Sequence, residues 1–346
     1  MDKKRLLFVD TFKVIIILLM IQGHLLRALL APPYYAGSRW FPLHEFLHGI
    51  VAPGFLFLSG FLFAYTLVEK PKSPDLFFNK ISSAFGLFAV NAFLHLPYFS
   101  YRKISLLWER GAGQNLLQMD VLATIGFSIL TATVFFFLFP KRWFWWSVGG
   151  ILLVNFLFWL FPPTGFLHPL FGTFVSPVLS PFPFFPWSFY FFLGILASRF
   201  LRKFSLWTLA AALVLMALSV YFPEAKWDRV GDIGKVLFLY GLCQRFGDRE
   251  PGSFKPLFLA SQESLFLYVS HLMIVYGSVF KKGLVYWWGS SVTPVTLFCI
   301  LIALYLFVYT ASFWIFRLRK ASPPLFVLCK NLFFLTVLYG LATRPW

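Results

Sequence analysis

The chain has 346 residues, of which 59% are hydrophobic and only 12% charged, with a mean hydropathy of +0.76. Soluble domains carry about 25% charged residues, so this chain lacks the polar surface of a soluble globular enzyme, and its repeated apolar runs of about 20 residues predict a polytopic membrane protein. The net charge of +17 sits in short basic clusters between those runs, as topology signals do, which argues against nucleic acid as a partner.

In chain order, about eleven candidate spans run over 6–29, 46–68, 76–99, 116–139, 143–161, 186–201, 205–222, 233–247, 256–279, 292–316 and 322–342. The sixth and eighth are the shortest. The expected fold is therefore all-α, a transmembrane helix bundle of about 10–11 spans forming one domain over 1–346. MDKKR followed by an apolar run has the outline of a signal peptide, but Asp10 and Lys13 interrupt its core, so a retained first span is expected. With the N-terminus inside, 17 of the 30 Lys and Arg fall in inner segments and 11 in outer ones, with Lys13 and Lys330 within spans. That asymmetry predicts a cytoplasmic N-terminus, and all-helical spans suit an inner or plasma-type membrane. Two outer loops stand out. Residues 30–45 carry APPYYAGSRWFPLHE, and residues 162–186 are rich in Pro and Phe, which predicts no regular helix there.

The first span, RLLFVDTFKVIIILLMIQGHLLRALL, contains Asp10, Lys13 and His24. An ionisable group in hydrocarbon costs roughly 2.5–3.5 kcal/mol on insertion scales, so three in one span suggest a polar path through a bundle. Lys13 and His24 share a helix face, separated by roughly 16 Å along the axis. Asp10 lies one turn before Lys13, within reach of an ion pair. The plainer alternative is a self-satisfied Asp–Lys pair with a histidine at the interface.

The second span opens HEFLHGIVAPGFLFLSGFLFAY. His44 and His48 are one turn apart with Glu45 beside them. Two His at that spacing can bind a metal, but no third ligand stands at a persuasive spacing, and a proton-handling role suits them better. Pro53, Gly54, Ser59 and Gly60 suit a kink and close helix approach. Further along, Asn91 and His95 are one turn apart, Gln118 and Asp120 open the fourth span, Arg199 ends the sixth, and Ser264, Tyr268 and His271 share a face of the ninth. Each alone is more often an interhelical hydrogen bond than a catalytic group; their number raises the expectation of a site. Cys243, Cys299 and Cys329 show no disulfide or zinc spacing. No phosphate loop, GxSxG elbow or HExxH helix is present, so an ATPase-driven pump is not indicated.

RLLFVDTFK followed by LLM resembles the opening motif of the heparan-alpha-glucosaminide N-acetyltransferase catalytic family. HGIVAPGFLFLSG, LLQMDVLATIGFSIL and PWSFYFFLGILASR are similar to its later segments. SLFLYVSHLMIVYG, and the Lys13-to-His24 spacing, resemble the acyltransferase-three family. The chain departs from the first family at Val14, commonly Gly, and at His24, where the human-type enzymes have Asn. The resemblance implies a membrane acyltransferase that takes an acyl group, often acetyl, from cytoplasmic acyl-CoA to a glycan or glycolipid acceptor on the far side, with no metal. It makes His24 and His48 the candidate acid/base or acyl-accepting groups, with His44 a further candidate, and matches Asp10 and Lys13 to the motif's inner charged pair. Beside it, Lys13 and Arg199 suit CoA phosphates and Gln118 an oxyanion. Asp120, Ser264 and His271 complete the expected binding residues. Two other classes use the same polar groups: a proton-coupled transporter of a small anionic or sugar-like substrate, and a non-catalytic scaffold. The transporter is disfavoured by the lack of a visible inverted repeat.

Overall fold

A computed structural model describes residues 6–67, 70–108, 112–161, 169–201, 203–222, 225–247, 255–278 and 281–344. Helices dominate them. In chain order they are α1 (Leu7–Leu29), α2 (Trp40–His48), α3 (Val51–Leu67), α4 (Pro74–Leu94), α5 (Tyr101–Leu106) and α6 (Ala112–Leu117). Next come α7 (Val121–Leu138), α8 (Lys141–Leu160), α9 (Pro169–Val175), α10 (Phe184–Phe200), α11 (Leu206–Tyr221) and α12 (Ala225–Phe246). The last are α13 (Lys255–Ala260), α14 (Ser264–Val275), α15 (Leu284–Trp288), α16 (Pro294–Ala321) and α17 (Pro323–Thr343). A two-residue hairpin pairs Gly277–Ser278 with Lys281–Lys282.

Among the described residues, eight helical segments are long and apolar enough to cross a membrane, with α2 and α3 counted as one and α13 and α14 as another. The chain is an all-α, polytopic integral membrane protein. Each of the eleven expected spans corresponds to a helix. Those that fall short of the eight are α10 and α11, which are 17 and 16 residues long, and α12, which carries Asp228, Arg229, Asp232 and Lys235 in its first half.

Local chemistry sets the boundaries. Ser73, Ser100 and Thr293 each turn a hydroxyl oxygen to a backbone N–H of the first helical turn, at 3.3–3.4 Å, and Pro74 and Pro294 follow two of them as first helical residues. Two expectations need correction. The second helix begins at Trp40, so the loop expected over 30–45 is shorter: it holds a 3-10 turn at Pro32–Tyr34 and then α2. The Pro-rich stretch 162–186 is not free of helix, because α9 occupies Pro169–Val175; Pro is tolerated there as the first helical residue. Residues 162–168 of that stretch lie outside the described set.

The chain divides into two compact units. One unit comprises Met1–Val51, Leu96–Gly113 and Phe246–Trp346. Its central element is α1, whose Phe12, Ile16, Ile17, Ile21 and Leu25 are fully buried. α14 and α16 pack on it. The Tyr305 hydroxyl on α16 donates to the Leu18 carbonyl at 2.6 Å. The end of α1 is tied to the chain ahead of α16 by backbone bonds: Val292 N–H to Leu29 O at 2.9 Å and Ala31 N–H to Val292 O at 3.1 Å. Lower on α16, Ser312 donates to the Ala260 carbonyl at 2.7 Å and Arg319 pairs with Glu263. α17 contrasts with α1: its large side chains from Leu325 to Tyr339 are mostly exposed, as lipid-facing residues are.

The other unit comprises Ala52–His95 and Gln114–Arg245. α4 packs on α7, and α10 on both α7 and α8, around Phe63, Phe136, Phe144, Phe191 and Phe192. A Cβ at Gly60 would overlap the Phe191 carbonyl, and one at Gly194 would overlap that of Phe57, so α3 and α10 cross backbone to backbone through these two glycines.

Candidate active site

Four histidines of the first unit gather where three stretches of chain meet. α1 supplies His24, α2 supplies His44 and His48, and α14 supplies His271. The His24 ring lies centrally, 5.3 Å from His271 and 6.2 Å from His48 between centroids. His44 stacks on His48 at 5.8 Å, one helical turn away. Tyr276, just past the end of α14, closes the group: its hydroxyl is 3.2 Å from His24 Nδ1 and 3.4 Å from the His24 carbonyl. A phenol is protonated near neutral pH, so this hydroxyl is able to donate.

Gly23 explains how α2 comes so close to α1. A Cβ at Gly23 would overlap Cδ2 and Nε2 of His48, so the His48 imidazole lies directly against the α1 backbone. α2 then ends at His48, and Gly49 and Ile50 turn the chain into α3.

A charged strut holds the other side. Arg27 binds both oxygens of Glu45, its Nε donating to Oε1 at 3.1 Å. His44 Nδ1 lies 3.2 Å from the same Oε1, and His44 Nε2 lies 3.1 Å from the Gln22 side-chain amide. A carboxylate only accepts, so Nδ1 of His44 carries a proton. The Gln22 atom that faces Nε2 is its side-chain oxygen Oε1, which likewise accepts. Arg27 and Glu45 are partly exposed, where such pairs are worth at most about 1 kcal/mol, so the strut orients more than it stabilises.

Two nitrogens in the cluster are left over. His271 is 0% exposed, and its Nδ1 donates to the Leu267 carbonyl one turn back at 2.7 Å. The neutral ring therefore keeps its lone pair on Nε2, which is buried without a hydrogen-bond partner among the described residues. His48 Nε2 is buried and unpartnered in the same way. Leaving a polar atom buried and unpaired costs about 1–3 kcal/mol, and a native protein that does so twice in one cluster needs a reason. An imidazole nitrogen that keeps its lone pair can in general take up a proton or attack a carbonyl carbon.

The other expected residues fall in several places. Asp10 is buried and Lys13 half-buried on α1, with Lys13 roughly 16 Å along the axis from His24. Ser264 opens α14, two turns before His271. Tyr268 lies 5.9 Å from the His271 ring. Gln118, Asp120 and Arg199 belong to the other unit. There Asp120 caps α7, its Oδ1 accepting from Leu122 and Ala123 N–H at 2.7 and 3.0 Å. Asn91 ties the strand of chain ahead of it, accepting from Asp120 N–H at 3.2 Å and donating to the Gln118 carbonyl at 3.1 Å. Arg199 lies over the Trp145 ring at 4.5 Å. His95 Nδ1 is 2.9 Å from its own i−4 carbonyl at Asn91. No group of three His, Cys, Asp or Glu among the described residues is arranged to hold a metal.

Sequence reasoning missed Gln22, Arg27 and Tyr276 as members of the site. Arg27 and Glu45 carried a signal, opposite charges at the same end of consecutive helices. Tyr276 carried none, because it follows the end of α14.

A histidine cluster with two of its rings buried thus lies within an apolar, membrane-spanning helix bundle. The chain belongs to the heparan-alpha-glucosaminide N-acetyltransferase catalytic family, whose model matches residues 5–221. It is thus a member of a membrane acetyltransferase family. The matched stretch holds His24, His44 and His48, whereas His271 and Tyr276 lie beyond it. Neither a curated protein nor a solved structure matches the chain.

Proposed function

We propose that this protein moves an acyl group, acetyl in the simplest case, from cytoplasmic acyl-CoA to an amine or hydroxyl of an extracytoplasmic glycan or glycolipid. It would sit in an inner or plasma-type membrane with its N-terminus in the cytoplasm. The observation that carries this reading is the convergence of His24, His48 and His271 with two unpartnered imidazole nitrogens.

A thioester is already activated, so the chemistry left to the protein is the acceptor's proton. As the acceptor nitrogen or oxygen bonds to the carbonyl carbon, a histidine Nε2 takes its proton, a contribution of roughly 10²–10⁴-fold. The carbon–sulfur bond then breaks, and the thiolate of CoA leaves and takes up a proton. In a second route a histidine Nε2 attacks first, giving an acyl-imidazole that the acceptor then resolves. His24 and His48 are the leading candidates for either role, with His271 as the third ring. The Tyr276 hydroxyl, held at His24, is placed to donate to the oxyanion or to fix the His24 tautomer. Asp10, Lys13 and Ser264 are the candidate contacts for CoA in this unit.

The test uses purified protein with radiolabelled acetyl-CoA and a panel of amino and neutral sugars. Transfer that is lost in folded His24→Ala or His48→Ala protein supports the reading. Uptake of a sugar or anion by reconstituted vesicles, with no transfer and no CoA binding, overturns it. Quenching without acceptor and searching for acetyl-histidine separates the two routes.

A further inference from the structure

A cleft of about 310 Å³ opens beside the histidines, between α1 and α16, and nothing in the chemistry above uses it. We infer that this cleft holds the hydrocarbon chain of a lipid-linked acceptor, an inference that rests on the transfer reading of the neighbouring site. Three observations select that occupant. The floor is apolar: Leu26, Leu30 and Leu297 line it and are buried. The rim is open: Phe298 is 63% exposed, Tyr34 44% and Trp40 42%. A pocket that measures the length of a donor's acyl group needs a closed end, whereas an open-sided one admits a chain that continues into the bilayer. Third, the cleft is continuous with the site through shared residues. Gln22 lines the cleft and contacts His44, and Trp40 lines it and meets the His44 ring edge-on at 6.2 Å.

The placement fits an amphiphile. The backbone bridge between Leu30 and Val292 fastens the two walls at the end of α1. Tyr34 and Trp40 stand at that same end, where aromatic side chains mark the level of lipid headgroups. From Leu30 to Gln22 is roughly 12 Å along α1, so the cleft spans the depth between the headgroup level and the histidines. An acceptor whose sugar lies at the Tyr34 and Trp40 end, one helical turn from His44, would run its chain down the cleft between Leu26 and Leu297 toward the bilayer interior. Its volume is at the lower end of the roughly 300–1,000 Å³ of ligand pockets, which suits one chain rather than a whole lipid.

The test places the protein in phosphatidylcholine nanodiscs and adds dodecyl glucosaminide carrying a diazirine on its chain. Illumination is expected to label residues within 22–34 and 294–301. Dodecyl glucosaminide should compete at concentrations at least tenfold lower than methyl glucosaminide. Leu26→Trp and Leu297→Trp should abolish the label, and the competition in unaltered protein decides the matter if either variant fails to fold. Labelling spread over exposed helices such as α17, or competed equally by added phosphatidylcholine, overturns the inference. Kinetics separate it from the transfer reading. Transfer to methyl and dodecyl glucosaminide with KM values within twofold overturns the cleft and leaves the transfer standing. Headgroup-dependent labelling without any transfer supports the cleft and overturns the transfer.

Discussion

The two units arrange their buried polar groups differently. In the unit around α7 and α10, many polar side chains close on backbone or on one another, and the buried atoms left without a partner, Thr133 Oγ1, Trp145 Nε1, Trp159 Nε1 and Gln244 Oε1, are spread over α7, α8 and α12. Asp120 caps a helix, Ser188 donates to Asn155 at 2.9 Å across α8 and α10, and Tyr240 and Gln244 both donate to the Leu201 carbonyl. Glycines there bring backbones together. In the unit around α1, polar groups converge and two nitrogens remain unpaired, while Gly23 brings a backbone up to an imidazole instead of another backbone. The lesson is that membrane-depth polarity alone does not mark a site. What sets the histidine cluster apart is that titratable rings and unused hydrogen-bonding capacity are gathered in one place.

The most severe break of this contrast is removal of the central ring. His24→Ala should lower acetyl transfer by about 10²–10⁴-fold while leaving thermal unfolding in detergent nearly unchanged. A loss of transfer that tracks a loss of folded protein would place His24 with the structural groups of the other unit. Glycine substitution gives the next largest effect, and here the units should diverge. Gly23→Ala forces His48 away from α1 and should cost turnover about tenfold to a hundredfold, because a misplacement of about 1 Å at a reacting group has consequences of that order. Gly60→Ala should instead lower stability by about 1–3 kcal/mol through overpacking at the α3–α10 crossing, with turnover per folded molecule preserved. Tyr276→Phe is expected to fall below these, near tenfold in kcat with KM little changed, since it deletes one hydrogen bond of the cluster and no volume.

The helices were largely legible because hydrophobic run length is a one-dimensional signal. So was the pairing of His24 with His48, which adjacent helices and the family motif both indicated. His271 stood out as a polar residue in an apolar run, but nothing local tied it to His24, 247 positions earlier in the chain. That tie is made by α14 packing on α1. The Arg27–Glu45–His44–Gln22 strut was hidden for a related reason. Arg27 read as a loop charge, Glu45 as a neighbour of a histidine and His44 as half of a metal-like pair, while Gln22 drew no reading at all, and only the entry angle of α2 joins them. Asp120 ran the other way. An acidic residue between apolar runs looked like a site residue, yet Asp two or three residues before the first helical N–H groups is also an N-cap signature.

Asp120 therefore supplies the mildest and most discriminating test. Asn and Asp cap helices about equally well, whereas Ala costs about 0.5–2 kcal/mol. If Asp120 acts only at the start of α7, Asp120→Asn should leave both the unfolding midpoint and the transfer kinetics within error of the unaltered protein. Asp120→Ala should lower the midpoint and leave kcat per folded molecule intact. A KM for acetyl-CoA that rises in Asp120→Asn, with the midpoint held, would show that the negative charge itself acts on substrate. Both cap bonds end on the same oxygen, and an amide oxygen can take its place in both.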